Sequence, residues 1–154
     1  MDNSGTLRVG YSASYASEAR SLIRVEHDFG PWISINPSQI SSAMYYIRDF
    51  GLTSNSNTVT GYYMSGNMSG NWNETGSCYS QCWNAFSTSS DCGSIAVSGA
   101  SSFYLYDITS GFKNWKNGAT NHGFMLKASN VTESSRLKTF ATLFLMMILF
   151  RRCL

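Results

Sequence analysis

The feature that most constrains this chain is a recurring unit. Short runs of β-branched and aromatic residues are each closed by Gly, Asn, Ser or Pro. The runs are TLRVGY (6–11), RSLIRVE (20–26), ISSAMYYIRDF (40–50), NTVTGYYM (57–64), SSFYLYDI (101–108) and HGFMLKA (122–128). Such runs are too short for stable helices and carry the residue types that suit a pleated, half-buried surface. In the third run Ala43, Tyr45 and Ile47 alternate with Met44, Tyr46 and Arg48. One face can therefore enter a core while the other carries larger or charged groups. The pattern predicts an all-β, antiparallel β-sandwich, and 154 residues suit one domain rather than two.

One stretch departs from this rhythm. In DITSGFKNWKNGATNHG, Asp107 or Thr109 can cap a helix, and Ile108, Phe112 and Trp115 fall at i, i+4 and i+7. Asn117-Gly118 then supplies a left-handed stop. The spacing predicts a short amphipathic helix near 108–117, with Phe112 and Trp115 packed in the core.

Charge and motif content narrow the function. The 11 basic residues are scattered and the net charge is only +2, so no stripe tracks a phosphate backbone and no nucleic-acid partner is expected. No G-x-S-x-G elbow, H-E-x-x-H pair, phosphate loop or dinucleotide fingerprint is present. His27 and His122 have no partner at catalytic spacing. Acidic pairs such as Glu26 with Asp28, or Glu74 with Asp91, have no spacing that places them across a cleft. The chain is expected to be non-enzymatic, without cofactor. Asp49, Asp91 or the Asn-rich loops could offer oxygen ligands to calcium, but no loop motif supports it.

Cys78, Cys82 and Cys92 form a C-x3-C-x9-C trio, with Cys153 far away. A local disulfide of unknown pairing leads, followed by free thiols. Zinc comes last, because neither histidine lies at ligand spacing. Sequons stand at Asn67, Asn73 and Asn130, a number that chance accounts for in so Asn- and Ser-rich a chain.

What remains is aromatic surface in GYYMSGNMSGNWNETGSCYSQCWNAF. Sugars bind by laying C–H faces on aromatic rings while amides and hydroxyls reach their oxygens. Tyr62, Tyr63, Trp72 and Trp83 are therefore the candidate carbohydrate-binding residues, with core packing as the competing role for the strand tyrosines.

Two stretches together resemble a known family. TLRVGYSASYASEARSLIRV, followed by YDITSGFKNWKNGATNHGFMLKAS, resembles the DNRLRE domain, a module of bacterial secreted and wall-associated proteins. A weaker likeness joins the second stretch to transforming growth factor beta propeptides. The matching positions are Asp107, Trp115, Asn117, Gly118, Asn121 and Gly123, read as structural before anything else. The resemblance covers residues 6–140. It implies a jelly-roll-like sandwich, a non-catalytic module that binds polysaccharide or supports neighbouring domains, and an extracellular or cell-surface location. A purely structural or adhesive spacer without a small ligand is the alternative, and a short membrane-associated fragment is a further one. The family pattern also has one more strand before TLRVG. With no leader after Met1, the chain is expected to begin late.

The end of the chain departs from that pattern. Residues 141–154 continue KTF as ATLFLMMILFRRCL, where the family has a polar loop and an alternating final strand. The apolar run Phe140 to Phe150 falls short of the ~20 residues a membrane helix needs, so membrane association is disfavoured. It also lacks the alternation of a half-buried strand. Methionine has one codon, and reading Met146-Met147 one base out of phase yields Asp-Asp, a polar loop of the family kind. The expectation is therefore a shifted reading frame from near residue 141 and the absence of the native final strand.

Overall fold

In the computed structural model the described residues are 6–14, 16–25, 34–53, 55–65, 86–98 and 102–150. In the strand segments 86–91 and 142–150 only the backbone is described. Among the described residues nine strands and a helix follow one another: β1 Thr6–Ser12, β2 Ser17–Ala19, β3 Ser21–Ile23, β4 Ile40–Asp49, β5 Asn57–Met64, β6 Phe86–Val97, β7 Phe103–Asp107, α1 Thr109–Lys116, β8 Phe124–Ala128 and β9 Lys138–Phe150.

The strands make two antiparallel sheets, ordered β2-β1-β9-β4-β7 and β3-β8-β5-β6. After β3 the chain moves from one sheet to the other at every connection except β5 to β6, and sequence neighbours are consequently split between layers. That interleaving is the jelly-roll arrangement, an all-β sandwich as the short runs imply.

Period-2 patterning builds the core. Along β4, Ala43, Tyr45, Ile47 and Asp49 are buried while Met44, Tyr46 and Arg48 lie on the other face. Ile40 is also buried, despite its odd offset from Ala43. A bulge between Ile40 and Ser42 puts one extra residue in β4 and resets the alternation. From the opposite sheet come Val59 of β5 and Phe124, Leu126 and Ala128 of β8. Phe124 meets Tyr45 edge-on at 5.2 Å between centroids and lies 6.4 Å from Tyr106. Tyr106 then spans the layers, its hydroxyl donating to the Val59 carbonyl at 3.0 Å. Asn57 ties the loop before β9 to β5. Its Nδ2 donates to the carbonyls of Asn130 and Arg136, and its Oδ1 accepts from Ser129 and Asn130. A buried amide with its donors and acceptor bonded specifies this loop's seat, the bonds offsetting the loss of hydration.

Helix α1 occupies 109–116, within the span expected. Ile108, Phe112 and Trp115 point inward and are buried, and the chain turns out at Asn117 and Gly118, the latter at φ 93°. The Gly118 N–H donates to the Trp115 carbonyl, closing the last turn.

Three strands, β2, β6 and β9, fall outside the runs that mark strands in the sequence. β6 reads FSTSSDCGSIAV, poor in strand-favouring residues. It lies at a sheet edge, held by pairing to β5 with two register shifts. The final strand expected to be absent is present: Lys138–Phe150 forms β9, in the interior of the five-stranded sheet. Its first residues pair with β1 on one side, and residues 140–150 pair with β4 on the other, where β9 carries two extra residues opposite Tyr45–Ile47. Cross-strand partners override weak intrinsic preference, and backbone pairing is indifferent to how the segment is encoded. The expected lack of a further strand before Thr6 falls on residues 1–5, which lie outside the described residues. Among those residues no helix is long and apolar enough to cross a membrane.

Candidate functional site

The polar face of α1 meets the neighbouring sheets in an open recess of about 550 Å³, lined by Tyr63, Cys92, Gly93, Asp107, Thr109 and Lys113, with Ser110 at its rim. Each group arrives for a local reason. Asp107 ends β7, two residues before the helical span, and its Oδ1 accepts from the Thr109 N–H at 2.9 Å; the N-cap position itself falls on Ile108, whose apolar side chain makes no cap bond, and not on Asp107 or Thr109 as the sequence suggests. The Thr109 hydroxyl bonds to the Ala43 backbone, accepting from its N–H at 2.8 Å and fastening α1 to β4. Ser110 and Lys113 then fall on the outward side of the helix, opposite Phe112 and Trp115.

Tyr63 forms the aromatic side. Its hydroxyl accepts from the Gly111 N–H at 3.1 Å, and its ring stands edge-on to Trp115 at 6.1 Å. Gly111 has no side chain for a reason: a Cβ there would sit 2.2 Å from the Tyr63 ring. Burial pushes the Tyr63 phenol well above its usual pKa, with Cys92 and Asp107 adding to the rise and the Gly111 N–H opposing it. The phenol therefore stays neutral.

Of the residues singled out for carbohydrate, Tyr63 lines the recess. Tyr62 is its strand neighbour and points to the other face of the sheet. Trp72 and Trp83 lie outside the described residues, as do Cys78 and Cys82. Cys92 is buried at the recess wall. Among the motif positions, Asp107 accepts from the first N–H of α1, Trp115 packs beneath the helix, and Asn117 and Gly118 end it. Asn121 clamps the following turn, donating to the Val25 carbonyl at 2.6 Å and accepting from the Gly123 N–H. Gly123 adopts φ 75°, with the Ile23 carbonyl oxygen 2.2 Å from where a Cβ would be.

Thr109, Ser110 and Lys113 carried no signal beyond lying on the polar side of a predicted helix. Their meeting with Tyr63, 46 or more positions away, is a product of the sandwich. Of the acidic residues considered for catalysis, Glu26, Asp28 and Glu74 lie outside the described residues. No group of three or more His, Cys, Asp or Glu side chains that could hold a metal occurs among the described residues.

No family model matches the chain, and no curated protein sequence matches it.

Proposed function

We propose that this chain is a non-catalytic β-sandwich module of a secreted or cell-surface bacterial protein, binding polysaccharide beside neighbouring domains. The observation that carries the reading is the recess at α1. It sets an aromatic residue, a carboxylate, an ammonium and two hydroxyls around one open volume. Sugar hydroxyls both donate and accept, so a site for them needs both kinds of partner close to an apolar surface. Lys113 donates, Asp107 accepts and Ser110 offers a hydroxyl, while the Thr109 hydroxyl is held by the Ala43 backbone. The resemblance to DNRLRE modules supports the same class.

Affinity electrophoresis of the full chain through gels holding soluble polysaccharides tests it. The expected result is retardation on at least one polysaccharide, weakened about tenfold by Lys113→Ala or Ser110→Ala, the scale of one lost hydrogen bond. Weakening only by Trp72→Ala or Trp83→Ala would move the site to the segment between β5 and β6. Uniform absence of retardation would replace the ligand-binding reading with a structural spacer.

A further inference from the structure

A lysine and an aspartate are buried together on the inner face of the five-stranded sheet. Asp49 is the last residue of β4 and stands opposite Phe140 of β9, while Lys138 begins β9 two residues earlier. Residues two apart on a strand share a face, so Lys138 and Asp49 are diagonal cross-strand neighbours. Nζ is turned toward Thr53 and no ion pair joins the two side chains, yet a diagonal pair of this kind is within reach of a long side chain that swings across. Lys138 is 0% and Asp49 1% exposed.

Neither is well satisfied there. Lys138 Nζ donates to the Thr53 carbonyl and to Thr53 Oγ1 at 3.3 Å each, both long contacts. Asp49 Oδ1 accepts from the Gly51 N–H at 3.0 Å, whereas Oδ2 is buried with no hydrogen-bond partner among the described residues. Native interiors rarely leave a carboxylate oxygen in that state, since incompletely paired charges give up hydration that nothing in the interior replaces.

We propose that Lys138 Nζ and Asp49 Cγ join in an intramolecular isopeptide bond. The chemistry balances with what the site holds. A proton passes from the Lys138 ammonium to the Asp49 carboxylate, the neutral amine so formed attacks Cγ, and the oxygen that gathers charge, Oδ1, already faces the Gly51 N–H. The Cγ–Oδ2 bond then breaks, and a proton from the nitrogen leaves with that hydroxyl. One amide forms, one water departs and no electron acceptor is needed. Burial drives Lys138 toward the neutral amine that this step requires, although Asp49 nearby opposes the shift. The product exchanges two buried ionisable groups for a neutral amide and fastens the end of β4 to the start of β9. It is independent of any ligand at α1.

Mass spectrometry of the purified full chain under denaturing conditions reads this directly. The expected mass is one water below the sequence mass. Trypsin is expected to skip Lys138 and release a branched peptide joining the segments around Asp49 and Lys138. Asp49→Ala and Lys138→Arg are each expected to restore the full mass. Wild-type protein at full sequence mass would overturn the proposal without reliance on any variant. So would a water loss that maps to other residues or persists in either variant.

Discussion

At the residue scale, two glycines show how surroundings set the cost of one methyl group. Ala at position 111 gains helix propensity of about 1 kcal/mol, yet its Cβ meets the Tyr63 ring, which is already fixed by Trp115 and by the Gly111 N–H. Overpacking of this kind costs roughly 1–3 kcal/mol, so the net change is a modest loss. At position 123 the obstacle is the Ile23 backbone carbonyl, and φ 75° adds strain that only glycine avoids. Gly123→Ala is therefore expected to destabilise more than Gly111→Ala, by at least about 2 kcal/mol in urea unfolding. Equal midpoints for the two variants would contradict this ranking. The need for Gly123 is hinted at by Asn-His-Gly in the sequence. The need for Gly111 is invisible there, because Tyr63 lies far off along the chain.

At the element scale, α1 was legible because its signals are local. The i, i+4, i+7 spacing of Ile108, Phe112 and Trp115 and the Asn117-Gly118 stop all lie within one window. Trp115 packs beneath the recess rather than opening into it, so its removal is expected to act on stability first. Trp115→Ala is expected to cost about 3–5 kcal/mol, read as a lowered urea midpoint, whereas Trp115→Phe keeps much of that packing. A Trp115→Ala protein of unchanged stability would contradict the packing role. β6 and β9 were not legible for the opposite reason. β6 is poor in strand-favouring types and β9, though it holds Thr, Phe and Ile, lacks the alternation of a half-buried strand; both are strands because β5, and β1 with β4, present open backbone groups beside them.

At the scale of the whole molecule, buried tyrosines help hold the two sheets together. Burial raises Tyr45 from 10.0 to about 12. Below pH 10 the residue is neutral in both folded and unfolded chains, and the stability it contributes is fully present. Between about pH 10 and 12 the unfolded chain releases the proton and the folded one keeps it, so stability falls as pH rises. The size of this loss is on the order of 2–3 kcal/mol. Burial pushes Tyr106 in the same direction, which deepens the fall. Tyr45→Phe is expected to flatten the decline of the urea midpoint across that alkaline window. An unchanged slope would show that Tyr45 does not carry it.

The sequence by itself determined what is local: strand-forming alternation in β4 and β5, the helix and its stop, and an all-β class. These follow from periodicity and backbone preference within a few residues, where neighbours along the chain are neighbours in space. The tertiary structure alone decided that residues 138–150 form an inner strand, that Tyr63 meets Asp107 and Lys113, and that Lys138 is buried on the same face as Asp49. Each of those depends on which strands lie side by side, and an interleaved jelly roll makes neighbours of residues tens of positions apart.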